Sequence, residues 1–151
     1  MKNLIILIVV FSLNISNAQS MQDIRRLYLE SSDNYSKLDS LNNLLVENKN
    51  KNNVLSAYYG VNLLLKSKYF KNPFKKIDFF ERGKKIIEDA ITKEPNNLEI
   101  VLIRYSAQKN SPSFLMYKKE LEEDYEFIIA NINSVNDKKL KKYILETIKN
   151  L

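Results

Sequence analysis

The chain has 151 residues with 24 Lys and Arg against 18 Asp and Glu, a net charge of +6, and contains neither His nor Cys. The absence of Cys excludes a disulfide framework and a lipid-modified cysteine, and the absence of His removes the most common general base, so stability must come from packing alone. Only two glycines occur, Gly60 and Gly83, too few for a hairpin-rich β fold and in keeping with helices.

In chain order, the first element is an export signal. Lys2 supplies a positive start and Leu4 to Phe11 an uninterrupted apolar run. Ser16 and Ala18 follow as the small residues that a signal peptidase requires before Gln19. The run is shorter than the roughly 20 apolar residues that a membrane-spanning helix needs. The expectation is a signal peptide over 1–18 and a single helical domain over 19–151, exported and soluble, in the periplasm or outside the cell.

Apolar residues in that domain recur at helical spacing and predict seven helices. The first covers about 21–31, with Ile24, Leu27 and Tyr28 on one face. The second, about 37–48, opens at Ser36 with Asp39 three residues on, and shows Leu38, Leu41 and Leu45 as a stripe. A third, about 54–69, carries Val54, Ala57, Tyr58, Val61, Leu64 and Leu65. At Asn72-Pro73 a favoured cap precedes a favoured first helical residue, so the fourth helix runs from there to about Lys93, where Pro95 closes it.

The fifth is capped by Asn96 with Glu99 three residues later and runs to about Lys109. Its apolar residues surround much of the circumference, which predicts a central, buried helix. Ser111-Pro112 interrupts the chain, and a sixth helix is expected over 113–132 with Phe114, Leu121, Tyr125, Ile128 and Ile132 inward. A polar turn, Asn133 to Asp137, leads to the last helix. Short connections favour antiparallel neighbours, so the expected class is all-α, a stack of helical hairpins.

The stretch Gly83 to Pro95 (GKKIIEDAITKEP) resembles the second helix of a tetratricopeptide repeat. Gly83 and Ala90 stand at its small positions, Ile87 at a large apolar one, and Pro95 at the end of the unit. Ala57 to Leu63 (AYYGVNL) resembles a first repeat helix, with Gly60 where two helices approach closely. The distance from Gly60 to Gly83 exceeds the repeat, so the segment around Phe70 to Phe80 is read as an insertion. Asn97 to Tyr117 also resembles a segment of short exported proteins of Bacteroidota. These resemblances imply an irregular tetratricopeptide-like array and an exported address, and no activity.

Two constellations single out binding residues. Arg104 and Gln108, four apart, share a face of the most apolar helix, and a buried Arg requires a partner. They form either a structural ion pair to Asp124, Glu88 or Asp89, or a polar pocket for a ligand carboxylate. The second is the run of eight Lys and Arg between Lys66 and Lys85, interleaved with five aromatics. It includes Phe74, Lys75 and Lys76, and reads either as a solvated helix face over core aromatics or as a surface for a partner or anionic membrane. Lys138, Lys139, Lys141 and Lys142 read as plain surface.

No nucleophile, acid and base fall into a catalytic pattern. The acids Glu120, Glu122, Glu123, Asp124 and Glu126 spread around a helix instead of converging on a metal. No cofactor, metal or nucleic acid is expected, and the chain is expected to be a monomer. The functional expectation is a non-enzymatic exported domain binding a protein or peptide. The alternative is a peripheral envelope protein held to anionic lipid or glycan, and an enzyme of unknown class comes third.

Overall fold

The computed structural model describes residues 20–151, so the expected signal peptide, 1–18, lies outside the described residues. Among these, the chain is entirely helical, without strands. Helix α1 is seen over 20–30, followed by α2 (Tyr35–Asn48), α3 (Asn53–Ser67), α4 (Pro73–Lys93), α5 (Leu98–Asn110), α6 (Leu121–Asn131) and α7 (Lys138–Lys149). Single 3₁₀ turns at Ser113–Leu115 and Ile132–Ser134 flank α6.

The abundant asparagines have a structural use. Asn34, Asn52, Asn72, Asn97 and Asp137 each precede a helix, and the side-chain oxygen of each accepts a backbone N–H of the first turn. Each cap satisfies donors that a helix start otherwise leaves free, at about 1 kcal/mol apiece. Helix α6 lacks such a cap and instead carries Glu122, Glu123 and Asp124 in its first turn, where carboxylates complement the helix dipole.

The caps correct two expected starts. Helix α2 begins behind Asn34, whose Oδ1 accepts from Lys37 N at 3.2 Å, so Ser36 lies inside the helix. Helix α5 is capped by Asn97 and not Asn96.

The expected long sixth helix is a larger correction. Its first half is the 3₁₀ turn and an irregular segment that ends in a turn at 119–120, and α6 starts only at Leu121. Met116 takes a left-handed backbone, φ 51°, which costs a non-glycine residue on the order of 1 kcal/mol and ends any helix. In return Tyr117 is buried, with its ring edge-on to Phe80 and its hydroxyl donating to Glu88 Oε1 at 2.7 Å. Phe114 and Tyr125, expected inward, are exposed at 80% and 38%.

Glycine decides the broadest helix contact, that of α3 with α4. A Cβ on Gly60 would lie 2.8 Å from the Gly83 carbonyl oxygen, and a Cβ on Gly83 2.5 Å from that of Gly60. The two backbones therefore touch at a spot where no side chain fits. Asn53, at the start of α3, bonds Glu94, just past the end of α4, so the pair runs antiparallel. The segment 70–80 stands before the α3–α4 crossing. It is a short connection plus the first turns of a 21-residue α4 that extend past the crossing.

Helix α5 occupies the centre, with nine of its 13 residues buried, and this explains its nearly uniform hydrophobicity around the circumference. It touches α3, α4, α6 and α7, and the core around it joins Ile24 of α1 to Ile144 of α7.

Candidate functional site

Two polar networks meet α5, one in its first turn and one along its second half. At the N-terminal end, Glu99 sits in the first turn, 5% exposed. It takes both prongs of the Arg25 guanidinium at 2.8 Å each, and its Oε1 also lies 2.8 Å from the Tyr58 hydroxyl. Tyr58 stands 2.9 Å from the hydroxyl of Tyr143. A hydroxyl has one proton and a carboxylate only accepts, so Tyr58 donates to Glu99 and accepts from Tyr143. Four helices, α1, α3, α5 and α7, meet at this chain of bonds. Burial opposes the Arg25 charge, but the hydrogen bonds and charge of Glu99 outweigh it and raise the guanidinium pKa. Burial raises Tyr58 and Tyr143 well above the ordinary tyrosine range, and the Glu99 charge adds to it.

Farther along α5, Arg104 forms a bidentate pair with Asp124 of α6, at 2.8 and 2.6 Å, and reaches Glu88 of α4 at 3.2 Å. Burial again opposes the cation, and Asp124 and Glu88 raise its pKa. Gln108 Nε2 donates to Glu120 at 3.0 Å. Of the two readings open for Arg104, the geometry is that of the structural ion pair, with the predicted partners Asp124 and Glu88. Every guanidinium nitrogen is engaged.

The cavity that is open lies elsewhere. A cleft of about 630 Å³ opens between α1, α3, α4, α5 and α7, bordered by the turn at Ser113–Leu115. Val61, Leu64, Phe80 and Ala107 form its buried floor, and Leu29, Ile77 and Phe114 stand at its mouth, 38%, 54% and 80% exposed. Lys68 and Lys76 lie on its rim and no Asp or Glu lines it. On its wall the buried Ser106 hydroxyl stands beside Tyr28.

The predicted site residues therefore do not converge. Arg104 and Gln108 belong to the α5–α6 contact and do not line the cleft, whereas Lys76 does and Phe74 and Lys75 stand beside it on the first turns of α4. The aromatics around them divide. Tyr69 meets Tyr35 edge-on, Phe70 lies 4.5 Å from Phe79, and Phe80 meets Tyr117. Phe74 has no ring partner among the described residues and is 81% exposed. The basic run divides too, since Lys66, Arg82 and Lys84 pair with acids and Lys68, Lys71, Lys75 and Lys76 form no ion pair among the described residues.

Sequence reasoning missed Arg25, Glu99, Tyr58 and Tyr143 as a network, and it missed the cleft. A carboxylate inside an apolar helix was a usable signal for Glu99. Among the described residues no helix is long and apolar enough to cross a membrane, and no group of three or more acidic side chains is placed to hold a metal ion. Comparison with protein-family models, with curated proteins and with solved structures finds no match to the chain.

Proposed function

We propose that the chain is an exported, non-catalytic helical domain that takes an apolar segment of a protein or peptide partner into the cleft beside α5. The observation that carries this reading is the cleft itself. Its volume, about 630 Å³, falls in the range of roughly 300–1,000 Å³ typical of binding pockets, with apolar walls and few polar groups. Large side chains left exposed at its mouth favour a partner that covers them. An apolar helix face laid in a groove is a recurring mode of peptide capture. Hydroxyls, amides and lysines are the polar groups on its wall, and without an acid or imidazole beside them they favour binding over catalysis. The α3–α4 pair and the following α5 are the part we read as tetratricopeptide-like.

Peptide display on the chain beginning at Gln19 tests this. Enriched sequences should carry apolar anchors at helical spacing and lose their affinity for Ile77→Asp/Phe114→Asp, a variant whose circular dichroism matches the parent. Enrichment of peptides that bind this variant equally well would reject the cleft as the site. Export is tested separately: the protein recovered from the cell envelope or medium should begin at Gln19, and one retaining Met1 would contradict the signal peptide.

A further inference from the structure

Two stretches far apart in sequence reach the same edge of the molecule. Residues 68–77 (KYFKNPFKKI) lead into α4, and residues 112–119 (PSFLMYKK) form the 3₁₀ turn and the segment after it. Pro73, Lys76 and Ile77 of the first and Pro112, Phe114 and Leu115 of the second border one cleft, which brings both stretches to the same opening. Together they hold six lysines and no acid. Among the described residues none of these lysines is in an ion pair. The same stretches expose Phe74 at 81%, Phe114 at 80% and Met116 at 86%, with Ile77 at 54%.

Each of these apolar side chains forgoes hydrophobic burial by standing in water. The turn that displays Phe114 and Met116 also ends on a left-handed backbone, at Met116 itself. Bulky apolar side chains set among unpaired lysines match the two layers of an anionic bilayer surface, with hydrocarbon below and charged headgroups above. A polyanion in solution would engage the lysines and leave the phenylalanines and methionine in water. A protein surface matched to six cations would need a dense acidic patch that also presents apolar hollows, so the observations favour lipid.

We propose that residues 68–77 and 112–119 form one docking surface for an anionic lipid bilayer, with Phe74, Phe114 and Met116 entering the headgroup boundary and the lysines contacting lipid phosphates. The surface goes beyond the cleft reading and does not depend on it. Phe74, Lys71, Lys75 and Met116 lie outside the cleft lining, which allows the two to be separated by mutation.

The test is co-sedimentation of the chain beginning at Gln19, whose core closes within the described residues, with vesicles of equimolar phosphatidylglycerol and phosphatidylcholine. Binding is expected to weaken with added salt, as screening requires. Lys71→Gln/Lys75→Gln should weaken it roughly 30-fold, at about 1 kcal/mol per lysine near the surface. Phe74→Ser/Met116→Ser should weaken it on the order of tenfold or more through lost burial. Both variants should keep the parent circular dichroism and the affinity for cleft-selected peptides. Equal binding to pure phosphatidylcholine, indifference to the lysine variant, or no sedimentation at all would overturn the proposal. So would tight binding to a soluble polyanionic polysaccharide that ignores Phe74→Ser/Met116→Ser, which would assign the lysines to glycan. None of those failures touches the peptide result, which is measured without lipid.

Discussion

Around Glu99, a cation, a carboxylate and two phenols are gathered from four helices and closed on one another, whereas around the mouth of the cleft lysines and phenylalanines of the same general character are left open. The first group is bonded internally: Arg25 gives Nε and Nη2 to Glu99, Tyr58 donates to Glu99, and Tyr143 donates to Tyr58. In the second, Phe74 and Phe114 face water and Lys71 and Lys75 form no ion pair among the described residues. Closed groups fix helix register and contribute to stability, while open ones add little to it and remain free for a partner. Composition does not distinguish these two uses, and burial does.

Mutation should break the comparison at its closed end first. Glu99→Ala strands the Arg25 guanidinium, 13% exposed, without its bidentate partner. Loss of one member of a buried pair costs about 3–5 kcal/mol, which urea unfolding would read as a large drop in midpoint. An effect below about 1 kcal/mol would place the pair among ordinary surface salt bridges.

Gly83→Ala probes the close packing of α3 on α4. Alanine is favoured over glycine inside a helix by about 1 kcal/mol, so stabilisation is expected wherever space exists. Here the new methyl meets the Gly60 carbonyl, and a backbone neighbour cannot swing away. A net loss of about 1–2 kcal/mol is expected from overpacking, and a rise in thermal midpoint would contradict the crossing.

Alkaline titration sharpens the same contrast. Tyr58, Tyr143 and Tyr117 are raised from their ordinary value, chiefly by burial. Between about pH 10 and their folded values, the unfolded chain has lost protons that the folded chain still holds. Stability is therefore whole below about pH 10 and falls above it, by about 1.4 kcal/mol per pH unit for each such tyrosine. Tyr143→Phe should lessen the slope by one such contribution. A thermal midpoint that stays level through that range would show the phenols to be solvated.

How far the sequence foretold this depends on the range of the signal. Helix α4 begins and ends where Asn72-Pro73 and Pro95 imply, because caps and prolines act within a turn of where they stand. Helix α5 is central as its circumference implies, and Arg104 finds Asp124 because a cation on such a helix must be paired. The same logic applies to Glu99, but its place three residues after Asn96 reads equally well as capping, and its partner Arg25 is 74 residues away. The break at Met116 is hidden because Phe114, Leu121 and Tyr125 keep helical spacing across it. A cleft walled by five helices leaves no local mark on any of them.

The most direct test of this division of labour lies at the open end, with urea unfolding of Phe74→Asp/Phe114→Asp. If both side chains are surface kept for a partner, the unfolding free energy stays within about 0.5 kcal/mol of the parent, and the carboxylate that Phe74→Asp introduces adds favourably to the first turn of α4. A loss of about 2 kcal/mol or more would mean that these rings are packed in the folded protein, and would remove the open surface on which both binding proposals stand.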